Sequence, residues 1–252
     1  MKRLAWLAVA VLAVIGIASA VTRTIAVSRV LGGAPAAEMS PLDVEYQRQV
    51  TALLRIDDGT ARYRAIDQDM KVASLKYNSV PVVMLLHVVP GGLFLLAAPL
   101  QLSAGLRRRY TVVHRSLGYA LLLLAIPFAL TGLYIGVRQP MFGPVGATAA
   151  VFLGGFFLHA GVRAYVAIRA GARVSHRAWM LRFIALAYGI AVMRALSAAA
   201  FTLFPVSMQD IGAPMFWIGP IVSALLAEWW IRRTDPASAR VGPAPAPAPA
   251  LP

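Results

Sequence analysis

Six long apolar runs, separated by shorter polar stretches, dominate the pattern of hydrophobic and polar positions along the chain. Each run approaches the roughly 20 residues that a helix needs to cross the hydrocarbon core of a bilayer. The predicted spans cover residues 4–21, 80–102, 112–137, 145–168, 178–203 and 215–231. The pattern therefore predicts an all-α, polytopic membrane helix bundle of about six transmembrane helices, with spans two to five as its four-helix core.

The N-terminal segment, residues 1–21, has two interpretations. Lys2-Arg3, the apolar run and Ala18-Ser19-Ala20 also fit a cleavable signal peptide. We favour a retained transmembrane helix because the run is close to spanning length. Removing it would leave five helices and would not change the orientation of the others.

Polar segments lie on either side of the 80–231 bundle. Residues 22–79 carry eight basic and seven acidic residues and are predicted to be non-cytoplasmic. Ser40-Pro41-Leu42-Asp43 has the composition of a helix start, and such a helix could run to about Arg55. The favoured interpretation is nevertheless a partly ordered connector without chemistry. The tail, residues 232–252, alternates proline and alanine from Pro236 onward, which predicts a disordered, polyproline-like end.

Composition supports the membrane assignment. The chain has 252 residues, of which 59% are hydrophobic and 13% charged, and its mean hydropathy is +0.70. These values are too apolar for a soluble domain. The absence of cysteine excludes disulfides, thiolate metal sites, iron–sulfur clusters and covalently attached c-type haem.

The formal charge of +14 is concentrated at one set of loop ends. The basic residues there are Lys2, Arg3, Arg107, Arg108, Arg109, Arg115, Arg169, Arg173, Arg177, Arg232, Arg233 and Arg240. The opposite short loops hold Arg138 and Asp210. This asymmetry predicts a multi-pass membrane protein with these arginines and the C-terminus in the cytoplasm. It does not favour nucleic acid as a partner, because no basic-aromatic module accompanies the charge.

The four histidines are the main candidates for chemistry. His87, His114, His159 and His176 each lie in, or at the edge of, a different apolar run. A histidine within a membrane helix is costly without a partner. Four of them on consecutive helices are expected where facing helices hold a flat metal cofactor. All four are therefore predicted metal ligands.

A weak internal repeat predicts how the histidines pair. Spans two and three, and again spans four and five, contain an intramembrane histidine, a basic turn and then His-Arg. Such a repeat would place His87 opposite His159 and His114 opposite His176. The spacings differ by ten residues, which could misalign the heights of His87 and His159 by roughly 10 Å or more unless helix tilt absorbs the difference. The pair of His114 and His176 is better matched.

Three glycines share a helix face with a histidine. Gly91 and Gly118 follow His87 and His114 by four residues, and Gly155 precedes His159 by four. Such glycines would let a porphyrin lie against the backbone. They are equally compatible with ordinary small-residue packing between membrane helices.

Three arginines lie inside the spans and would need an anionic partner. Arg163 or Arg182 is predicted to meet a haem propionate near the cytoplasmic face, and Arg194 a second anion nearer the outer face. For Arg163 and Arg182 the alternative is snorkelling to the membrane surface.

Several of these motifs resemble the bacterial membrane family known as domain of unknown function 2306. The resemblance covers about residues 80–201 and departs at Ala98, where the family usually has glycine. The matching residues are His87, Pro99-Leu100-Gln101, His114-Arg115, Gly118, His176, Trp179, Met180, Arg182 and Arg194. The layout is also similar to ascorbate-reducible two-haem b-type cytochromes, in which helices two and four share one haem and helices three and five the other.

Two functional hypotheses follow. The first is electron transfer through one or two bis-histidine b haems, with a quinol, a small reductant or a partner protein as redox partner. The second is a haem-free transporter or a structural or assembly subunit, whose histidines make interhelical hydrogen bonds or bind a divalent metal. Both imply contact with membrane lipid. The sequence leaves open whether the protein is an enzyme and what its oligomeric state is.

Overall fold

The computed structural model of the protein describes residues 2–53, 55–204 and 206–234. Within these ranges the secondary structure is entirely helical. The helices are α1 (Lys2–Leu31), α2 (Pro41–Leu53), α3 (Ala61–Asn78), α4 (Pro81–Leu102), α5 (Ala104–Arg109), α6 (Thr111–Arg138), α7 (Gly143–Arg169), α8 (Arg173–Leu203) and α9 (Met208–Thr234). Six of them, α1, α4, α6, α7, α8 and α9, are long and apolar enough to cross a membrane. The predicted all-α polytopic bundle is confirmed, while the predicted disordered tail lies almost wholly outside the described residues.

The first helix is longer than predicted. It continues ten residues past Val21 to Leu31. The hydroxyl-bearing residues near the predicted end do not break it, because their side chains donate to carbonyls of the preceding turn. Ser19 Oγ lies 2.9 Å from the Ile15 oxygen and Thr24 Oγ1 lies 2.7 Å from the Ala20 oxygen. The polar segment between the first two spans therefore begins after Leu31 rather than at residue 22.

The segment expected to be a connector contains two helices. α2 begins where the sequence suggested, with the Asp43 amide donating to Ser40 Oγ at 3.2 Å. α3 was not predicted, although its cap is a similar one: the Tyr63 amide donates to Thr60 Oγ1 at 3.1 Å. Its low apolar content hides it from a search for hydrophobic periodicity, and tertiary contacts hold it in place.

Polar side chains attach α3 to the bundle. Arg62 donates to the Phe201 carbonyl at 2.7 Å, and Lys76 Nζ donates to the Pro140 carbonyl at 2.6 Å. These contacts place α3 against the α6–α7 connection and the end of α8. We call this the opposite end of the bundle. The other end, which carries Arg107, Arg108, Arg109, Arg169, Arg173, Arg232 and Arg233, is called the basic end.

The core of the bundle is packed with aromatic rings. α8 is the most buried span and packs against α1, α4, α7 and α9. Phe94, Phe128, Phe157 and Phe183 come from α4, α6, α7 and α8 respectively, and their ring centroids lie 4.5–6.4 Å apart in the contacting pairs. Such clusters bury large apolar areas and fix the helices relative to each other. The centre of the four-helix core is thus filled by protein.

Candidate functional site

His114 and His176 both lie at the basic end. Each is the fourth residue of its helix, so both lie about one turn inside the end of the bundle. The two imidazoles are near enough to interact electrostatically. The sequence placed these two histidines opposite each other, and the structure brings them to the same region.

The Nδ1 atoms of the two histidines differ in their hydrogen bonding. His176 Nδ1 lies 2.8 Å from the carbonyl oxygen of Ala164 on α7. A carbonyl can only accept, so Nδ1 carries a proton, and in the neutral ring Nε2 then keeps its lone pair. His114 Nδ1 is buried and has no hydrogen-bond partner among the described residues. Buried polar atoms are normally satisfied, so an orphan of this kind marks a place where a ligand or water belongs.

A glutamine from α4 lies one helical turn from His114. The buried Gln101 side chain packs against Gly118, where a Cβ would come within 2.8 Å of its Nε2. Its Oε1 has no hydrogen-bond partner in the described part of the chain. Gly118 therefore makes room for Gln101. In the sequence Gln101 belongs to a motif shared with the family, and nothing there marks it as a site residue.

His87 lies towards the opposite end. Its Nδ1 is 2.9 Å from the carbonyl oxygen of Phe128 on α6, and its ring stacks on the Phe128 ring with centroids 4.8 Å apart. Gly132 provides space for it, since a Cβ there would lie 2.8 Å from His87 Cε1. This hydrogen bond again leaves Nε2 as the free nitrogen.

His159 occupies a different environment. It is exposed on α7 and contacts the edge of the Trp179 ring, with centroids 5.4 Å apart. His87 is six residues from the start of α4, or about 9 Å, whereas His159 is sixteen residues from the start of α7, or about 24 Å. Both helices start at the opposite end, so the structure does not bring these two imidazoles to one level. No cluster of three or more metal-ligating side chains occurs within the described ranges.

The three glycines that share a helix face with a histidine differ in the free space beside them. A Cβ at Gly91 would lie 2.9 Å from the Phe128 ring, and the space at Gly118 belongs to Gln101. Only at Gly155 is there nothing within 4 Å. Packing accounts for Gly91 and Gly118, and Gly155 has open space beside it.

Two of the intramembrane arginines surround one tryptophan. Arg182 donates to both Glu228 oxygens of α9, at 2.5 and 3.1 Å, and lies over the Trp179 ring at 4.6 Å. Arg163 lies over the same ring at 5.4 Å. Arg182 already has a carboxylate partner within the protein, a pairing that the sequence did not reveal because it joins residues 46 positions apart.

Arg194 faces a cavity of about 870 Å³ at the opposite end of the bundle. Arg23, Tyr77 and His87 line the same cavity, and His87 is the only histidine among the described residues that do so. The sequence singled out Arg194 and His87 but not Arg23, which fell just beyond the predicted end of the first span.

Comparison with known proteins places the chain in a family. The model of the family described as predicted membrane protein (DUF2306) matches residues 84–231, which is more than half of the chain. No curated protein and no solved structure matches the chain. The matched region contains α4 from Met84 onward and continues to Ile231 in α9, so it includes all four histidines. The chain belongs to the DUF2306 family of predicted membrane proteins.

Proposed function

We propose that the protein is a membrane electron carrier that binds a b-type haem through His114 and His176. The observation that supports this best is the position of two imidazoles at the basic end, each of them four residues into its helix, α6 or α8. Bis-histidine ligation between facing helices is a common way to hold haem in a helical bundle. The haem would supply reversible one-electron chemistry, and a quinol, a small reductant or a protein would be its redox partner.

The hydrogen bonding of His176 fits axial ligation. Histidines that bind metals usually donate their other ring N–H to a carbonyl or carboxylate, which fixes the ring and raises its basicity. The His176–Ala164 contact has this form. The unpartnered Nδ1 of His114 is the nitrogen that a ligand would satisfy. Arg107 and Arg115 interact electrostatically with His114 and would attract propionates, whereas Arg182 is already paired with Glu228.

The proposal requires a local rearrangement. A porphyrin edge that lies against Gly118 would need the space that the Gln101 side chain fills. Rotation of Gln101 breaks no hydrogen bond of its Oε1, which has none within the described residues. The proposal includes one haem only, since the described helices keep His87 and His159 at different levels.

We also propose that the basic end faces the cytoplasm of a bacterial inner membrane and that the C-terminus lies on that side. The support is the concentration of arginines in the short connections of this end. The orientation places the His114–His176 pair near the cytoplasmic surface and the large cavity near the other surface.

The absorption spectrum of histidine variants tests the haem site. The full-length protein, made in haem-replete cells and purified in mild detergent, should show a low-spin b-type spectrum on reduction with dithionite. His114→Ala and His176→Ala should each lose this spectrum. His159→Ala is the matched control and should retain it, because His159 lies outside the proposed site.

A ligand substitution separates ligation from a structural role. His114→Met keeps a potential iron ligand, and methionine–histidine ligation raises the reduction potential of a b-type centre. We expect this variant to keep haem with an altered spectrum and a higher midpoint potential. Retention of an unchanged spectrum and potential in both His114→Ala and His114→Met would exclude His114 as a ligand.

The haem-free hypothesis has support of its own. His87 bonds to Phe128 across α4 and α6, and His176 bonds to Ala164 across α8 and α7. Such contacts stabilise membrane bundles by about 0.6 kcal/mol on average. If this is their only role, the protein from haem-replete cells is colourless, and alanine at His87 or His176 lowers thermal stability slightly without any spectral change.

A further inference from the structure

The large cavity has apolar walls and a polar rim. Its volume of about 870 Å³ is within the range of sites for small organic ligands, about 300–1,000 Å³. The apolar lining includes Leu95, Phe128, Leu133, Phe157 and Ile190 from the spanning helices. Residues of α2 and α3, among them Tyr46 and Tyr77, line the cavity at the opposite end. A ligand of this cavity would need a sizeable apolar part.

Four basic side chains line the cavity, and two of them are already engaged. Arg62 and Lys76 donate to the carbonyls of Phe201 and Pro140. Arg194 forms no ion pair with any carboxylate that the structure describes, although it lies well inside α8. Its side chain is exposed because it faces the cavity. An uncompensated guanidinium at this depth calls for an anion.

Arg23 adds a second partly unsatisfied cation. Its Nη2 lies 3.7 Å from Asp43, while its Nη1 is buried and has no hydrogen-bond partner in the described ranges. Asp43 is shared with the Ser40 hydroxyl, which donates to it at 2.8 Å. Arg23 and Arg194 interact electrostatically, and as like charges they repel each other. An anion between them would convert this repulsion into attraction.

A tyrosine completes the polar rim. Tyr77 lies under the Arg23 guanidinium, 5.3 Å from it, and lines the same cavity as Arg194. Burial raises the pKa of Tyr77 above its usual value, and the two arginines oppose that shift. The phenol therefore keeps its proton at neutral pH and is available as a donor. The remaining acidic residue on the lining, Asp69, has a partner of its own.

We propose that this cavity binds an anionic amphiphile, with its carboxylate or phosphate between Arg23 and Arg194 and its apolar chain along the phenylalanine-containing wall. The argument is independent of haem, since it uses neither His114 nor His176. Charge selects the head of the ligand, and the apolar walls select the tail. A fatty acid and an anionic phospholipid share this chemistry.

A competition assay tests the site. A fluorescent long-chain fatty acid is bound to the full-length protein in a neutral maltoside detergent, and then displaced with oleate, phosphatidylglycerol, methyl oleate or inorganic phosphate. We expect oleate or phosphatidylglycerol to displace it, and which of the two competes better identifies the source of the anion. Methyl oleate, which lacks the charge, should be at least tenfold weaker than oleate. Displacement by phosphate alone, or equal competition by oleate and its methyl ester, would overturn the proposal.

Substitution of the arginine locates the binding site. Arg194→Gln should weaken binding of the fatty acid about tenfold or more, and Arg194→Lys should restore part of it. Arg138→Gln is the control: Arg138 is exposed at the same end, at the last position of α6, and does not line the cavity. This control should change affinity less than twofold. Equal affinity of Arg194→Gln and the unchanged protein would refute the assignment, and the methyl oleate comparison remains decisive if that variant does not fold.

Discussion

At the scale of residues, four histidines that look equivalent in the sequence have four different environments. His87 and His176 are each held by a carbonyl of a neighbouring helix, His114 has an unpartnered nitrogen, and His159 is exposed. Residue type and spacing predict that such side chains need partners. They do not predict which carbonyl of another helix comes within reach, because that depends on the rotation and height of both helices.

Arg182 illustrates the same limit. The sequence suggested that Arg182 binds a haem propionate. In the structure Arg182 instead donates to Glu228, a carboxylate of the protein itself. The pair joins α8 to α9 in a partly buried setting, with side-chain exposures of 23% and 33%. Bidentate charge-assisted hydrogen bonds of this kind are stronger than exposed ion pairs.

Glu228→Gln should therefore destabilise the protein. The substitution keeps the shape but leaves the Arg182 charge unpaired, at a cost of about 1–2 kcal/mol after allowance for partial exposure. We expect a lower unfolding temperature for this variant in detergent, measured from the change in tryptophan fluorescence on heating. Glu45→Gln, which removes the exposed contact between Glu45 and Arg48 on α2, should leave this temperature unchanged. An equal change in unfolding temperature for the two variants would mean that the Arg182–Glu228 pair stabilises the protein no more than the exposed pair does.

At the scale of elements, the hydrophobic pattern predicts the spans well and the polar helices poorly. Pro90 and Pro99 lie inside α4 without ending it, as the continuous apolar run suggested. α3 escaped prediction because its position depends on contacts of Arg62 with the end of α8 and of Lys76 with the α6–α7 connection. Periodicity detects helices that bury an apolar stripe, not those that are held by polar attachments.

Close packing of α8 and α9 depends on two glycines. A Cβ at Gly219 would lie 2.6 Å from the Gly189 carbonyl oxygen and from the backbone nitrogen of Met193, and a Cβ at Gly189 would lie 2.6 Å from Pro220 Cα. Backbone atoms cannot move aside as a flexible side chain can. These glycines permit the near approach that drives helix association in membranes.

Gly219→Ala should push α8 and α9 apart and lower the unfolding temperature by several degrees, equivalent to about 1–3 kcal/mol. Gly155→Ala is the natural control, because nothing lies within 4 Å of the added methyl group. That variant should be as stable as the unchanged protein, since alanine also favours the helix. Greater destabilisation by Gly155→Ala than by Gly219→Ala would contradict this packing.

At the scale of the whole molecule, the sequence predicts the class, the number of spans and the family, and it misses the cavity. Cavity-lining residues come from α1, α2, α3, α4, α6, α7, α8 and α9. No local pattern encodes a space that so many separate segments enclose. Arg194 could be identified as unusual, but its proximity to Arg23 follows only from the assembled bundle.

The proposed orientation is testable because the chain has no cysteine. Single cysteines at Arg108, in the basic end, and at Gln49, on α2, can be labelled with a membrane-impermeant maleimide in intact cells. We expect labelling at position 49 in intact cells, and at position 108 only after the membrane is permeabilised. The reverse pattern would place the basic end outside and would contradict the arginine asymmetry.

The most direct test of the central proposal is the haem content of the unaltered protein. Pyridine haemochrome and protein assays on the purified full-length chain, from haem-replete cells, should give about one non-covalent b haem per polypeptide, with the low-spin ferric signal of two imidazole ligands in electron paramagnetic resonance. A folded protein with no haem, which also takes up none when haem is added, would contradict the account and leave the histidines with structural roles.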